Sequence, residues 1–166
     1  MRKIMFNDNY GLTKAVLEGR KTQTRRMKNS IASKSLYKKG EEVAIAQKYS
    51  DIMNTVSSEL EQKLKQVSGW GNKMFVKADL MPHRIRITNI RVERLQDISE
   101  DDCIAEGIWK AHNVGIEGAT YWYTNLVNST YRTAKEAYAA LIDKICGKGT
   151  WEKNPCVFAY DFELVK

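Results

Sequence analysis

The stretch Gly19-Arg20-Lys21-Thr22-Gln23-Thr24-Arg25-Arg26 places four cationic side chains and two hydroxyls within eight residues. It follows a short helical pattern in which Leu12, Ala15 and Val16 make one apolar face, and Asn7, Asp8 and Asn9 offer caps for a helix reaching Glu18. Gly19 suits the left-handed residue that closes such a helix, because a residue without Cβ takes that conformation at little cost. Beyond it the chain must leave in a new direction. Thr22 and Thr24, β-branched at alternate positions, suit an extended segment; they then share one face while Lys21, Gln23 and Arg25 share the other.

Working outward, Ile4-Met5-Phe6 reads as a first strand, and residues 27–39, rich in Ser, Asn and Lys, as a mobile basic loop. Val43-Ala44-Ile45-Ala46 is a short apolar run suited to a buried strand. From Asp51 to about Val67, Ile52, Met53, Val56, Leu60 and Leu64 recur at helical spacing, which predicts an amphipathic insertion. After the break at Ser68-Gly69-Trp70-Gly71-Asn72, Met74 to Ala78 reads as a strand ended near Pro82. Ile85 and Ile87 alternate with Arg84 and Arg86, whereas Ile90 and Val92 fall in the opposite phase. That change predicts a bulge near Thr88-Asn89, a device that bends a strand around a small barrel.

Ser99 followed by Asp102 has the capping-box form and predicts a short helix through about Glu106, ended by Gly107. Residues 109–132 hold Trp109, Tyr121, Trp122, Tyr123 and Tyr131, suited either to stacking on bases or to covering the core. Thr133 and Glu136 form a second capping box, opening a helix to Cys146 with an apolar stripe of Ala137, Leu141, Ile142 and Ile145. Gly147 closes it. In the last segment Phe158, Tyr160, Phe162 and Leu164 alternate with Asp161 and Glu163, as in a strand with one core face.

At 166 residues, with 43% hydrophobic and 28% charged side chains, the chain has the size and composition of one soluble globular domain. It lacks an apolar run long enough to span a bilayer and a signal-peptide core, so a cytoplasmic location is expected, with no membrane partner. Cys103, Cys146 and Cys156 form no Cys-x-x-Cys pair and are expected to be reduced and buried. His83 and His112 stand far apart, so neither a metal site nor a cofactor is expected. The net charge of +7 is unevenly spread: residues 1–48 carry 12 Lys/Arg against 4 Asp/Glu, and residues 97–166 carry 7 against 11. A basic surface of this kind suits nucleic acid, because neutralising phosphates releases condensed counterions. It equally suits a solvated face.

The spacing Gly-x-Lys-x-x-Thr-x-Arg, here Gly19, Lys21, Thr24 and Arg26, resembles the signature of the ASCH family, of bacterial and phage type. The run from Leu95 to Ile108 resembles the segment after the long central strand of that family, and the approach Gly147 to Trp151 before the last strand is also similar. The resemblance covers nearly the whole chain. It implies an α+β fold, a small PUA-like β-barrel with flanking helices, as a single domain with insertions near 50–73 and 109–132. It also implies a basic cleft for RNA or a modified nucleoside, formed by Arg20, Lys21, Thr24, Arg25 and Arg26.

Small bacterial members hydrolyse the amide of N4-acetylcytidine with a Lys, a Thr and a Glu, which fall here on Lys21, Thr24 and Glu106. The residue types suit that chemistry. A lysine must be brought down from about 10.4 to act as base or nucleophile, which needs burial or nearby cations. Glu106 can shuttle a proton to the leaving amine, Thr24 can donate to the tetrahedral oxyanion, and Arg26 can orient a phosphate or a base carbonyl. A plain Lys-Glu ion pair holding helix to strand is the structural alternative. Three functions are expected in order: an RNA- or nucleoside-binding module, an amidohydrolase of acylated cytidine, and a phage or prophage regulatory protein whose basic face binds an acidic partner.

Overall fold

Apolar alternation and two long strands organise the chain, and the computed structural model describes residues 1–30, 32–55, 57–112, 119–123 and 130–165. The central pair is β4 (Arg84–Arg94) and β7 (Cys156–Val165), antiparallel over nearly their full lengths. β2 (Gln23–Met27) adds antiparallel to the outer side of β7. β3 (Glu42–Ile45) adds antiparallel to β4, and β1 (Arg2–Ile4) lies parallel to β3. The sheet order is therefore β1-β3-β4-β7-β2, and a separate hairpin joins β5 (Trp109–His112) to β6 (Ala119–Trp122).

The expected barrel does not close. β1 and β2 remain the two sheet edges. Where backbone pairing would seal the seam, the Arg26 guanidinium donates instead to the carbonyl of Met5 at 2.7 Å. The expected first strand is also displaced: β1 ends at Ile4, and Phe6 lies beyond it as a buried residue facing the seam.

The bulge falls where the phase change puts it, with the β4–β7 register shifting between Ile87 and Asn89. Ile85 and Ile87 are fully buried, while Val92 beyond the bulge is 56% exposed. The shift turns Arg91 and Glu93 toward a polar network with Asp102 and Asp161. β7 buries both faces over Val157 to Tyr160, rather than the single face that its alternation suggests. It is the innermost strand on the β2 side, flanked by β4 and β2 and covered by helices.

Those helices are α1 (Leu12–Leu17), α3 (Glu100–Ala105) and α4 (Ala134–Cys146). Ser99 accepts from Asp102 N as the cap of α3. Thr133 and Glu136 complete the reciprocal capping box of α4. Gly19 takes φ 74, and Gly107 takes φ 105 where α3 turns back toward α1.

The insertion after β3 is not one long helix. It runs through single 3-10 turns at Tyr49–Asp51 and Met53–Thr55 before a short α2 (Ser58–Leu64), with Ser57 accepting from Leu60 N as a cap. Asn54, Thr55 and Ser57 are weak helix formers that compete for the backbone, which divides the expected helix. Val56, counted in that pattern, lies outside the described residues. The expected strand from Met74 to Ala78 is also absent; Asn72 caps a 3-10 turn at Lys73–Phe75, and a second follows at Ala78–Leu80. Met74 and Phe75 face solvent, while Val76 and Met81 join Ala44, Tyr49, Ile52 and Leu64 in a satellite core on one side of β3.

Cys103 alone of the three cysteines is buried; Cys146 is exposed and Cys156 intermediate, and all are free thiols. The 27–39 segment is anchored toward its end, because the Tyr160 hydroxyl accepts from Leu36 N at 3.2 Å and lies 2.9 Å from the Ser35 hydroxyl. Among the described residues no helix is long and apolar enough to cross a membrane.

Candidate functional site

The turn after α1 sets the site. Arg20 N and Lys21 N both donate to Ala15 O, Thr22 N donates to Ala105 O at the end of α3, and Phe162 N donates to Thr22 O. Residues 20–22 are thus stitched to α1, α3 and β7 before β2 begins. Gly107 completes the close approach: a Cβ there would lie 3.4 Å from Leu12 Cδ2 and 3.6 Å from Lys21 Cβ.

This stitching buries Lys21 to 2% exposure and Glu106 to 4%. Lys21 Nζ donates to Glu106 Oε2 at 2.5 Å and to the Glu106 carbonyl at 2.8 Å. The other carboxylate oxygen, Oε1, accepts from Arg25 Nη1 at 3.1 Å and from the Tyr138 hydroxyl at 3.3 Å. Burial is the leading influence on Lys21 and lowers its pKa, opposed by the Glu106 charge and assisted by Arg26 and Arg25. Burial likewise holds the Tyr138 hydroxyl well above its ordinary range, with the Glu106 charge adding to the effect, so it stays protonated as a donor.

Arg25 is spent within the fold. Its Nε donates to Glu93 at 2.8 Å, and Nη2 lies 2.7 Å from the same Glu93 oxygen and 3.1 Å from Asp102. Surrounded by three carboxylates, it is a positioning group for Glu106 more than a free anion receptor. Gln23 joins the network by donating to Asp102 at 2.7 Å. The alternation along β2 thus sends Lys21, Gln23 and Arg25 together toward α3.

Thr24 and Arg26 alternate with them along β2, yet Lys21, Thr24, Arg25 and Arg26 all border one space at the seam. A partly open cavity of about 60 Å³ there is lined by Lys21, Thr24, Arg25, Glu106 and Tyr138, with Leu12, Leu141 and Ile142 as apolar wall. The Thr24 side chain is buried and makes no hydrogen bond to the described residues. Phe6, Asn7, Arg26 and Ile145 line this cavity and also an outer basin of about 430 Å³ that adds Asp8, Lys48 and Lys73. The two spaces adjoin across these four shared residues, as the inner and outer parts of one funnel. Its outer part falls in the usual size range for a small-molecule site, whereas the inner part admits only a group of a few atoms.

Arg20 stands apart from both spaces. Its guanidinium stacks 3.6 Å above the Trp109 ring and pairs with Glu18 at 2.9 Å. Tyr123 and Tyr131 pack on each other and, with Tyr121, against the main core. Most of these aromatics therefore cover the core, as one of the two sequence readings has it. Tyr138 escaped the sequence reading, although it continues the spacing Ala134, Ala137, Leu141 of its helix. Lys48 and Lys73 carry no local signal, because only the packing of the segment after β3 brings them to the seam.

No family model matches the chain, and no curated protein matches it. Among solved structures it is similar to protein EF3133 from Enterococcus faecalis V583, described under family DUF984. That likeness has a TM-score of 0.49 at 15% identity, over 99% of this chain and 80% of the other.

Proposed function

We propose that this protein binds a single modified nucleoside in the funnel and hydrolyses an amide on its exocyclic amine. The observation that carries the reading is the convergence of Lys21, Thr24 and Glu106 on one small cavity, with the lysine amine buried and its pKa lowered by that burial. The substrate class comes from the ASCH resemblance. The small inner space suits an acyl group, and the outer basin suits a nucleoside.

In this reading a proton passes from Lys21 to Glu106 along their short hydrogen bond, leaving a neutral amine. The amine takes a proton from water as the water oxygen bonds to the acyl carbon. The Thr24 hydroxyl donates to the developing oxyanion. Glu106 then delivers its proton to the exocyclic nitrogen as the carbon–nitrogen bond breaks, releasing the free base amine and a carboxylic acid that gives its proton to solvent; Lys21 is left protonated and Glu106 ionised, as at the start. Arg25 and Tyr138 hold the carboxylate in register throughout.

The internal neutralisation of Arg25 and the stacking of Arg20 weigh against an extended RNA groove built on the signature cations. The test is acetate release from N4-acetylcytidine by the wild type and by Lys21→Ala. Release by the wild type alone is expected. Absence of release from both, together with tight RNA binding that weakens steeply with salt, would replace hydrolysis by RNA binding.

A further inference from the structure

Three cations, Arg26, Lys48 and Lys73, line the outer basin with one carboxylate, Asp8. Asp8 is already matched: Lys73 Nζ lies 2.8 Å from its Oδ2 and also donates to the Phe6 carbonyl. Lys73 is thereby a strut that ties the insertion to the segment after β1. That leaves Arg26 and Lys48. Arg26 spends one donor on Met5 O, and neither it nor Lys48 has a carboxylate partner among the described residues. Both are only partly exposed. Two cations without counter-charge, held in a concave basin and drawn from separate elements, attract a dianion more strongly than solvated surface lysines do. The Arg26 fork also matches the geometry of phosphate oxygens.

We propose that Arg26 and Lys48 form a phosphate subsite at the mouth of the funnel, so that the preferred substrate is an acylated nucleoside monophosphate rather than the free nucleoside. This rests on reading the funnel as a nucleoside site. The phosphate sits at the mouth between β2 and the start of the insertion, and the acyl group reaches the inner cavity past Phe6 and Ile145. Lys48 enters the site only because the chain turns at Tyr49–Asp51 to build the satellite core. The segment leading into the insertion therefore sets specificity as well as packing.

The experiment compares hydrolysis of N4-acetylcytidine 5′-monophosphate and N4-acetylcytidine by the wild type and by Lys48→Ala, with binding of cytidine 5′-monophosphate and cytidine measured by calorimetry. The wild type should favour the monophosphate about tenfold in kcat/KM, the effect of one hydrogen-bonded charge pair. Lys48→Ala should remove most of that preference, and inorganic phosphate should compete with the monophosphate more than with the nucleoside. Equal turnover of both substrates would overturn the phosphate subsite and leave hydrolysis standing. If neither is hydrolysed, tighter binding of the monophosphate that depends on Lys48 still supports the subsite, and equal binding overturns it. Unchanged thermal unfolding of Lys48→Ala excludes misfolding as the cause.

Discussion

Replacing Glu106 with Gln would remove the negative charge that holds two buried cations while keeping the shape of the side chain. Lys21 would then keep the carbonyl of residue 106 and at most a neutral amide oxygen, and Arg25 would retain Glu93 and Asp102. Breaking a buried pair by removing one partner costs about 3–5 kcal/mol, and the remaining partners of Arg25 put this case near the lower end, about 3 kcal/mol. For a chain of this length that corresponds to a fall of about 6–12 °C in Tm. Lys21→Met should cost less, because Glu106 would still be held by Arg25 and Tyr138. The pH dependence has a definite sign. Lys21 has a lowered pKa in the fold against an ordinary value of 10.5, so between those two values the unfolded chain binds more protons and stability rises with pH. Without the Glu106 charge that window widens downward. The deficit of Glu106→Gln, measured by urea unfolding, should therefore be largest near neutral pH and shrink as pH approaches that of free lysine. A deficit under about 0.5 kcal/mol, the range of ordinary surface substitutions, or one that grows with pH, would refute the buried ion-pair account.

Thr24→Val preserves shape and removes the hydroxyl; acetate release should fall by about 10²-fold in kcat with little change in Tm, and full activity would exclude Thr24 as an oxyanion donor. Gly107→Ala should lower stability by about 1–3 kcal/mol, since φ 105 is strained for any side chain; a neutral result in thermal unfolding would contradict that backbone geometry. Burial pushes the Cys103 thiol up to about 12, so a thiol reagent should modify the exposed Cys146 in the native protein and reach Cys103 only on unfolding. Mass mapping of the labelled peptides decides this, and prompt native-state labelling of Cys103 would show that α3 opens readily.

The sequence alone determined the parts that depend on neighbours in the chain. The turn at Gly19, the caps at Ser99 and Thr133, and the bulge beyond Ile87 follow from local backbone preferences and from a break in alternation, so they were legible. No local pattern announces that Lys21 and Glu106 meet, because 85 residues separate the lysine from the glutamate. Tertiary structure decided the rest. Whether β1 and β2 pair depends on how far a five-stranded sheet curls, and here a guanidinium spans the gap that closure would have removed. The same packing spends Arg25 on three carboxylates and leaves Arg26 and Lys48 with no carboxylate partner among the described residues, although in sequence all of them are simply basic residues. Charge type is written in the chain, but which charges are neutralised is settled only when distant segments meet.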